Sequence, residues 1–139
     1  MIDSKTGPYG ALLLRLSLGV MFLAHAGLKI FVFTPEGSVG FFQSVGLPGA
    51  LAYFAIFAEI IAGVALILGI ATRSISLAMI PLLLGTIFFV HGDNGWLFTN
   101  EGGGWEYPAF LIAASLAQAL IGGGAYSLSN YAFPKLKRT

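Results

Sequence analysis

Four apolar stretches alternate with short polar connections along the chain. A helix that crosses the hydrocarbon core of a bilayer needs about 20 mostly apolar residues, and each stretch comes near that length. The connections are rich in glycine, proline, asparagine and acidic residues, which are typical of turns and loops. The pattern predicts an all-α membrane protein: one domain (1–139), a bundle of four transmembrane helices with spans at about 9–33, 47–70, 74–91 and 107–126.

Composition agrees with this pattern and excludes several classes of protein. Apolar residues make up 57% of the 139 residues and charged residues 9%, whereas a soluble domain has roughly 25% charged residues. A water-soluble chain of this size could not bury so much apolar surface. A net charge of +1 gives no basic field for nucleic acid. Because the chain has no cysteine, it can form neither disulfides nor thiolate metal sites.

The basic residues predict the orientation of the bundle. Cytoplasmic loops of membrane proteins carry an excess of lysine and arginine. In a four-span bundle, Lys29 is the only basic residue on one side. The other side carries Lys5, Arg73, Lys135, Lys137 and Arg138. Both termini are therefore predicted to be cytoplasmic, and the longer connections at 34–46 and 92–106 are predicted to face outward.

A few ionisable residues interrupt the predicted spans. A charge at mid-bilayer costs at least ~2.5 kcal/mol on insertion scales, so it normally has a partner inside the protein. Glu59 is near the centre of the second span, and Arg15 lies about 7–9 Å away in depth on the antiparallel first span. Two long side chains can bridge that distance, but the sequence leaves open whether Arg15 and Glu59 pair. Such a pair would serve chemistry or only fix the helix register. His25 and Lys29 share one face of the first helix near its outer end.

Small residues and one proline predict how the helices pack. Small side chains let helix backbones approach closely in lipid, and Pro81 with Gly85 predicts a kink in the third helix. The second helix has such a face around Glu59, and the fourth has a similar one. The residues of the two faces are Ala52, Ala55, Glu59, Ala62 and Gly63, and Ala113, Ala114, Ala117 and Gln118.

The segment FFVHGDNGW (88–96) marks the outer boundary of the membrane. His91 ends an apolar run, and the aromatic residues that follow are typical of an interfacial belt: Trp96, Phe98, Trp105 and Tyr107. His25 and His91 lack a metal-ligand spacing such as H-x-x-x-H, so no metal is predicted. A hydrogen-bonding or protonation role toward a ligand is favoured for them. The glycines at 102–104 predict a flexible turn near a partner rather than an anion loop.

Three segments resemble one family of proteins. They are LLLRLSLGVMFLAHAGLKI (12–30), AEIIAGVALILGIATR (58–73) and HGDNGWLFTNEGGGWEYP (91–108), and they are similar to the DoxX family of small bacterial inner-membrane proteins. The resemblance implies four membrane helices and a link to redox metabolism. The related DoxD subunit belongs to a thiosulfate:quinone oxidoreductase, and other DoxX-like proteins form complexes with a sulfurtransferase and a superoxide dismutase. Matching positions are Arg15, His25, Lys29, Glu59, Arg73, His91 and Glu106.

The leading hypothesis is a quinone-contacting membrane subunit of a redox or oxidative-stress system in the bacterial inner membrane. Glu59, His25 and His91 are its expected catalytic residues, and Arg15, Lys29, Glu106 and Trp96 are its expected ligand contacts. Such a subunit needs a partner protein for electrons and binds no cofactor covalently. The expected partners are membrane lipid, quinone, a sulfurtransferase-like or superoxide-dismutase-like protein, and a second copy of the chain.

The alternative is a non-enzymatic membrane anchor or scaffold. In that case the polar residues only hold the helices together, and the outer loops or the KLKR tail (135–138) dock a partner. A proton or small-solute carrier is a third hypothesis, which four spans without an internal repeat fit poorly.

Overall fold

The computed structural model describes residues 3–132, and the side chains of residues 3–130. Within this range the chain forms α1 (Gly7–Gly27), α2 (Pro35–Ser44), α3 (Ala50–Leu68), α4 (Thr72–Thr86), α5 (Glu106–Ile121) and α6 (Leu128–Ala132). π-helical turns at Leu28–Val32 and Ile87–His91 extend α1 and α4. The predicted all-α class is confirmed for the described residues. The KLKR tail lies outside them.

Three helical segments of the described chain are long and apolar enough to cross a membrane: Gly7–Val32, Ala50–Leu68 and Thr72–Asn94. Helix α5 is apolar but has only 16 residues. It therefore rises about 24 Å against a hydrocarbon core of about 30 Å. It ends before the predicted residue 126 because Gly122 follows it with a φ of 83°, a conformation that glycine adopts without steric cost. The number of passes and the side of the termini stay predictions.

The first connection is not the loop that was predicted over 34–46, because it contains helix α2. The Oγ1 atom of Thr34 accepts the backbone N–H of Gly37 at 3.2 Å. Pro35 occupies the start of the helix, and Glu36 lies in its first turn. A capping hydroxyl, an early proline and an early acid all favour a helix N-terminus. Together they outweigh the glycines of the segment.

The two π-helical turns lie at the same end of the molecule. Helix α4 continues through Pro81, and its departure from α-helical geometry begins at Ile87. The turn after α1 carries Lys29, and the turn after α4 ends at His91. π-helical turns inside helices are frequent at functional sites. Two of the predicted site residues are thus placed by irregular backbone.

Helices α1 and α3 form one tightly packed pair. A Cβ atom on Gly19 would lie 2.9 Å from the carbonyl oxygen of Gly63, and a Cβ atom on Gly63 would lie 2.9 Å from that of Gly19. The two backbones therefore approach each other so closely at these glycines that an added Cβ atom would clash with the facing carbonyl oxygen. The whole small-residue face predicted around Glu59 is buried, as expected.

Helices α4 and α5 form the second pair, and contacts between α3 and α4 and between α1 and α5 join it to the first. The core is formed by side chains from α1, α3, α4 and α5: Leu18, Phe22, Ala62, Leu66, Met79, Leu83, Leu111 and Ala114. The small-residue face predicted for the fourth helix is partly wrong. Ala113 and Ala117 are exposed, and the buried positions are one residue further on, at Ala114 and Gln118.

Candidate functional site

Lys29 and Glu59 form an ion pair between the π-helical turn that extends α1 and the middle of α3. The Nζ atom of Lys29 donates to both carboxylate oxygens of Glu59, at 2.8 and 2.9 Å. The side chain of Glu59 is 5% exposed and that of Lys29 20% exposed. A carboxylate that is so well buried needs a cation and hydrogen bonds. The π-helical turn at Leu28–Val32 is the element that carries Lys29 to it.

The pair of Arg15 with Glu59, which the sequence leaves open, does not form. The close approach of Gly19 and Gly63 sets the antiparallel register of α1 and α3, and this register places Arg15 level with Ile67. Glu59 lies eight residues before Ile67 along α3, which corresponds to about 12 Å of helix rise. The depth of Arg15 was predicted from the ends of the spans, and those ends do not set the register.

Arg15 instead stabilises the opposite end of α3. Its Nη1 atom donates to the carbonyl oxygens of Leu66 and Ile67 at 2.9 and 2.7 Å, and its Nη2 atom donates to that of Ala125 at 3.1 Å. The last carbonyls of a helix have no partner within it, and a cation there also opposes the helix dipole. Arg15 is 1% exposed. It therefore lies in the bundle but apart from the other predicted site residues.

His25 lies one turn before Lys29 and contacts α5. Its Nδ1 atom donates to the carbonyl oxygen of Met21 at 2.8 Å, because a carbonyl can only accept. The neutral ring therefore has its lone pair on Nε2. The imidazole stacks on the ring of Tyr107, with centroids 5.9 Å apart and planes inclined by 19°.

We call residues 92–106 the outer loop, after the side that is predicted for them. This loop folds back on the end of α4. The Nδ1 atom of His91 donates to the carbonyl oxygen of Gly103 at 2.9 Å, and the backbone N–H of Phe98 donates to Oε1 of Glu106 at 2.7 Å. The two tryptophans of the chain, Trp96 and Trp105, pack edge to face at 4.5 Å between centroids. The glycine-rich segment predicted as a flexible turn is thus held by several hydrogen bonds.

A groove of about 820 Å³ lies between the outer loop and the start of α5. Its walls are mainly apolar, and its polar groups come from His91, Glu106 and Tyr107. The residues that line it are His91, Trp96, Phe98, Gly103, Gly104, Glu106, Tyr107, Pro108, Ala109, Phe110 and Ala113. Because His91 uses Nδ1 for Gly103, its Nε2 atom is the one that can meet a ligand.

The predicted site residues therefore fall into three places. His91, Trp96 and Glu106 line the groove, Lys29 and Glu59 form the ion pair, and Arg15 caps α3. His25 is linked to the groove through Tyr107, which stacks on it and also lines the groove. Sequence reasoning assigned Tyr107 only to an aromatic belt. No pattern in the sequence shows that its ring lies against His25. Among residues 3–132, no three histidine or acidic side chains come together as a metal site.

Comparisons with known proteins agree with this architecture. The DoxX family profile matches residues 10–92. The chain is 33% identical over 130 residues to "Putative oxidoreductase CatD" of Bacillus subtilis (strain 168), covering 94% of this chain and 92% of that protein. It is 31% identical over 132 residues to an "Uncharacterized protein" of Haemophilus influenzae (strain ATCC 51907 / DSM 11121 / KW20 / Rd), covering 94% and 96%. No solved structure matches significantly. This chain belongs to the DoxX family.

Proposed function

We propose that the protein is a membrane subunit of a redox or oxidative-stress system and that the groove beside the outer loop binds the head group of a quinone. The groove carries this proposal. Its volume of about 820 Å³ lies within the range of small-molecule sites, which are mostly apolar with a few placed polar groups. The Bacillus subtilis relative bears the name "Putative oxidoreductase CatD", and this name supports a redox role.

The polar groups of the groove fit the chemistry of a quinone. Reduction adds charge at two oxygens, and oxidation of the quinol removes a proton from each, so both oxygens need hydrogen-bonding partners. The hydroxyl of Tyr107 can donate to one oxygen. The Nε2 atom of neutral His91 can accept a proton from a quinol hydroxyl, and the same atom donates when the ring is protonated. Trp96 and Phe98 supply flat apolar walls.

In this proposal Glu59 and His25 act one layer behind the groove. Neither lines it, but the ring of Tyr107 lies between His25 and the groove. The ion pair holds the end of α1 to the middle of α3, and the stack of His25 on Tyr107 fixes the groove wall. In this proposal electrons come from a partner protein, because a chain without cysteine offers neither a thiol redox couple nor thiolate ligands for an iron–sulfur cluster.

The tryptophans of the chain allow a direct test. In a Trp105→Phe variant, Trp96 is the only tryptophan, and it lines the groove. Addition of a short-chain ubiquinone analogue to the detergent-purified variant should quench its fluorescence in a saturable way. His91→Ala or Tyr107→Phe in the same background should weaken binding severalfold, up to about tenfold, because each removes one hydrogen bond.

Tyr126→Phe is the matched control. Tyr126 is exposed and packs on Tyr9 at the other end of the bundle, so this variant should bind the analogue like its parent. Quenching that rises linearly without saturation, or that is the same in all variants, would exclude the groove as a quinone site.

A scaffold without enzymatic activity is the second candidate, and two observations favour it. Lys29 and Glu59 neutralise each other and hydrogen-bond to each other, as a purely structural ion pair does. Trp96, Leu97 and Phe98 expose 51%, 53% and 67% of their surface on the outer loop, and exposed apolar patches often mark protein interfaces. A scaffold predicts no saturable quenching by the quinone analogue.

A further inference from the structure

A cluster of buried polar side chains lies between α4 and α5, away from the groove and the ion pair. Thr72 and Ser76 belong to α4, and Ser115 and Gln118 belong to α5. Thr72 is 5% exposed and the other three are 0% exposed. The three hydroxyl oxygens and Oε1 of Gln118 find no hydrogen-bond partner in the described part of the chain. Buried polar atoms in folded proteins nearly always have a partner, from protein or from ordered water.

The four side chains are neighbours in depth. The Nη1 atom of Arg73 donates to the carbonyl oxygens of Ala119 and Leu120, both at 2.8 Å, which places the start of α4 beside the end of the antiparallel α5. Three residues further along α4, Ser76 is then at the depth of the last turns of α5, which carry Ser115 and Gln118. Thr72 lies one turn nearer the end of the bundle.

The hydrogen-bonding capacity of the cluster defines its ligand. The Nε2 atom of Gln118 donates to the carbonyl oxygen of Gly122 at 2.6 Å, which leaves Oε1 as an acceptor that needs a donor. Each hydroxyl can donate and accept. The four side chains include no acid, and Arg73 follows Thr72 directly, so a cation is disfavoured. The ligand is a small neutral molecule that both donates and accepts, and water has these properties.

The cluster also has an entrance. A groove of about 1450 Å³ lies at the end of the bundle near the glycine run that follows α5. Thr72, Gly122, Gly123 and Ser127 are among the residues that line it. Thr72 belongs both to this groove and to the cluster. Its hydroxyl can therefore bind a water molecule that enters from the groove, on the way to Ser76, which lies about 6 Å deeper.

We infer that the interface of α4 and α5 is a water-binding site, in which ordered waters bridge Thr72, Ser76, Ser115 and Gln118 and exchange through the groove at the glycine run. Buried waters typically make about three hydrogen bonds to polar groups that otherwise have no partner. The site brings solvent into the half of the bundle opposite the proposed quinone groove, and it does not depend on that proposal.

Radiolytic footprinting of the purified protein tests this inference. Short X-ray exposure turns bound water into hydroxyl radicals, which oxidise the side chains beside it. Met79 is the reporter, because it lies three residues after Ser76 on the same helix and is only 3% exposed. We expect Met79 to be oxidised in the wild type and to lose most of that oxidation in Ser76→Ala/Ser115→Ala.

The controls make each outcome decisive. Ser74→Ala changes an exposed serine of the same helix and should leave the oxidation of Met79 unchanged. Thr72→Val keeps the shape of the side chain but removes the hydroxyl at the entrance, so it should also lower the oxidation of Met79. This single variant still tests the inference if the double variant fails to fold. A wild type in which Met79 stays unoxidised, or oxidation unchanged in both test variants, would overturn the inference.

Discussion

Glu59 is the residue whose surroundings constrain function most at the scale of single side chains. Its carboxylate is almost fully buried and has Lys29 as its cation. Removal of one partner from a buried pair leaves an uncompensated charge and costs about 3–5 kcal/mol, whereas replacement of both can be neutral. Lys29→Met should lower the free energy of unfolding by about 3 kcal/mol. This value is at the lower end of that range because Lys29 is partly exposed.

The double variant Lys29→Met/Glu59→Leu is the matched control. It should regain most of the stability that Lys29→Met loses, because no buried charge is then left alone. Thermal unfolding in detergent, followed by tryptophan fluorescence, measures both variants. A double variant that is no more stable than Lys29→Met would show that the pair is not the source of the effect.

Single residues were also the hardest to predict. The types and approximate depths of Arg15, Glu59 and Lys29 could be read from the chain, because charges in apolar spans are conspicuous. Their partners could not be read, because a shift of a few residues in helix register changes which side chains meet. The π-helical turn that carries Lys29 has no clear signal in the sequence, and neither does the stack of His25 on Tyr107.

At the scale of elements, the crossing of α1 and α3 depends on two glycines. A Cβ atom on Gly19 would lie 2.8 Å from Cγ1 of Ile67 as well as 2.9 Å from a backbone oxygen of α3. Gly19→Ala should therefore force the helices apart and destabilise the protein by about 1–3 kcal/mol, as overpacking does. Gly10→Ala is the control in the same helix, since a Cβ atom there meets nothing within 4 Å.

Gly10→Ala should leave stability unchanged or raise it by up to about 1 kcal/mol, because alanine favours a helix more than glycine does. The two variants change the same atom in the same helix, so only the packing against α3 differs. Equal melting temperatures for Gly19→Ala and Gly10→Ala would contradict this account of the crossing.

The elements themselves were largely predictable, with errors at their ends. Apolar runs located α1, α3, α4 and α5, because long apolar segments are the strongest signal in a sequence. Helix α2 was missed although Thr34, Pro35 and Glu36 form an N-terminal pattern, since the glycines after them favour a loop. The fourth span was predicted to reach residue 126, but the helix ends at Ile121, directly before three successive glycines.

At the scale of the whole molecule, the two ends of the bundle differ in chemistry. One end carries the groove, the ion pair and the exposed aromatic residues of the loop at 92–106. The other end carries Arg15 and Arg73, which hold helix C-termini through backbone carbonyls, and the polar cluster between α4 and α5. Composition predicted a membrane protein, but it could not show that its polar residues form two separate groups.

Single cysteines on either side of α4 can determine the orientation of these two ends in the membrane. The chain has no cysteine, so each introduced thiol reports on one site. Thr99 lies in the outer loop and Ser74 in the first turn of α4, and both are exposed. If α5 completes a fourth pass and both termini are cytoplasmic, Thr99→Cys in intact cells should react with a membrane-impermeant maleimide. Ser74→Cys should react only after lysis, and the reverse pattern would invert the orientation that the basic residues predict.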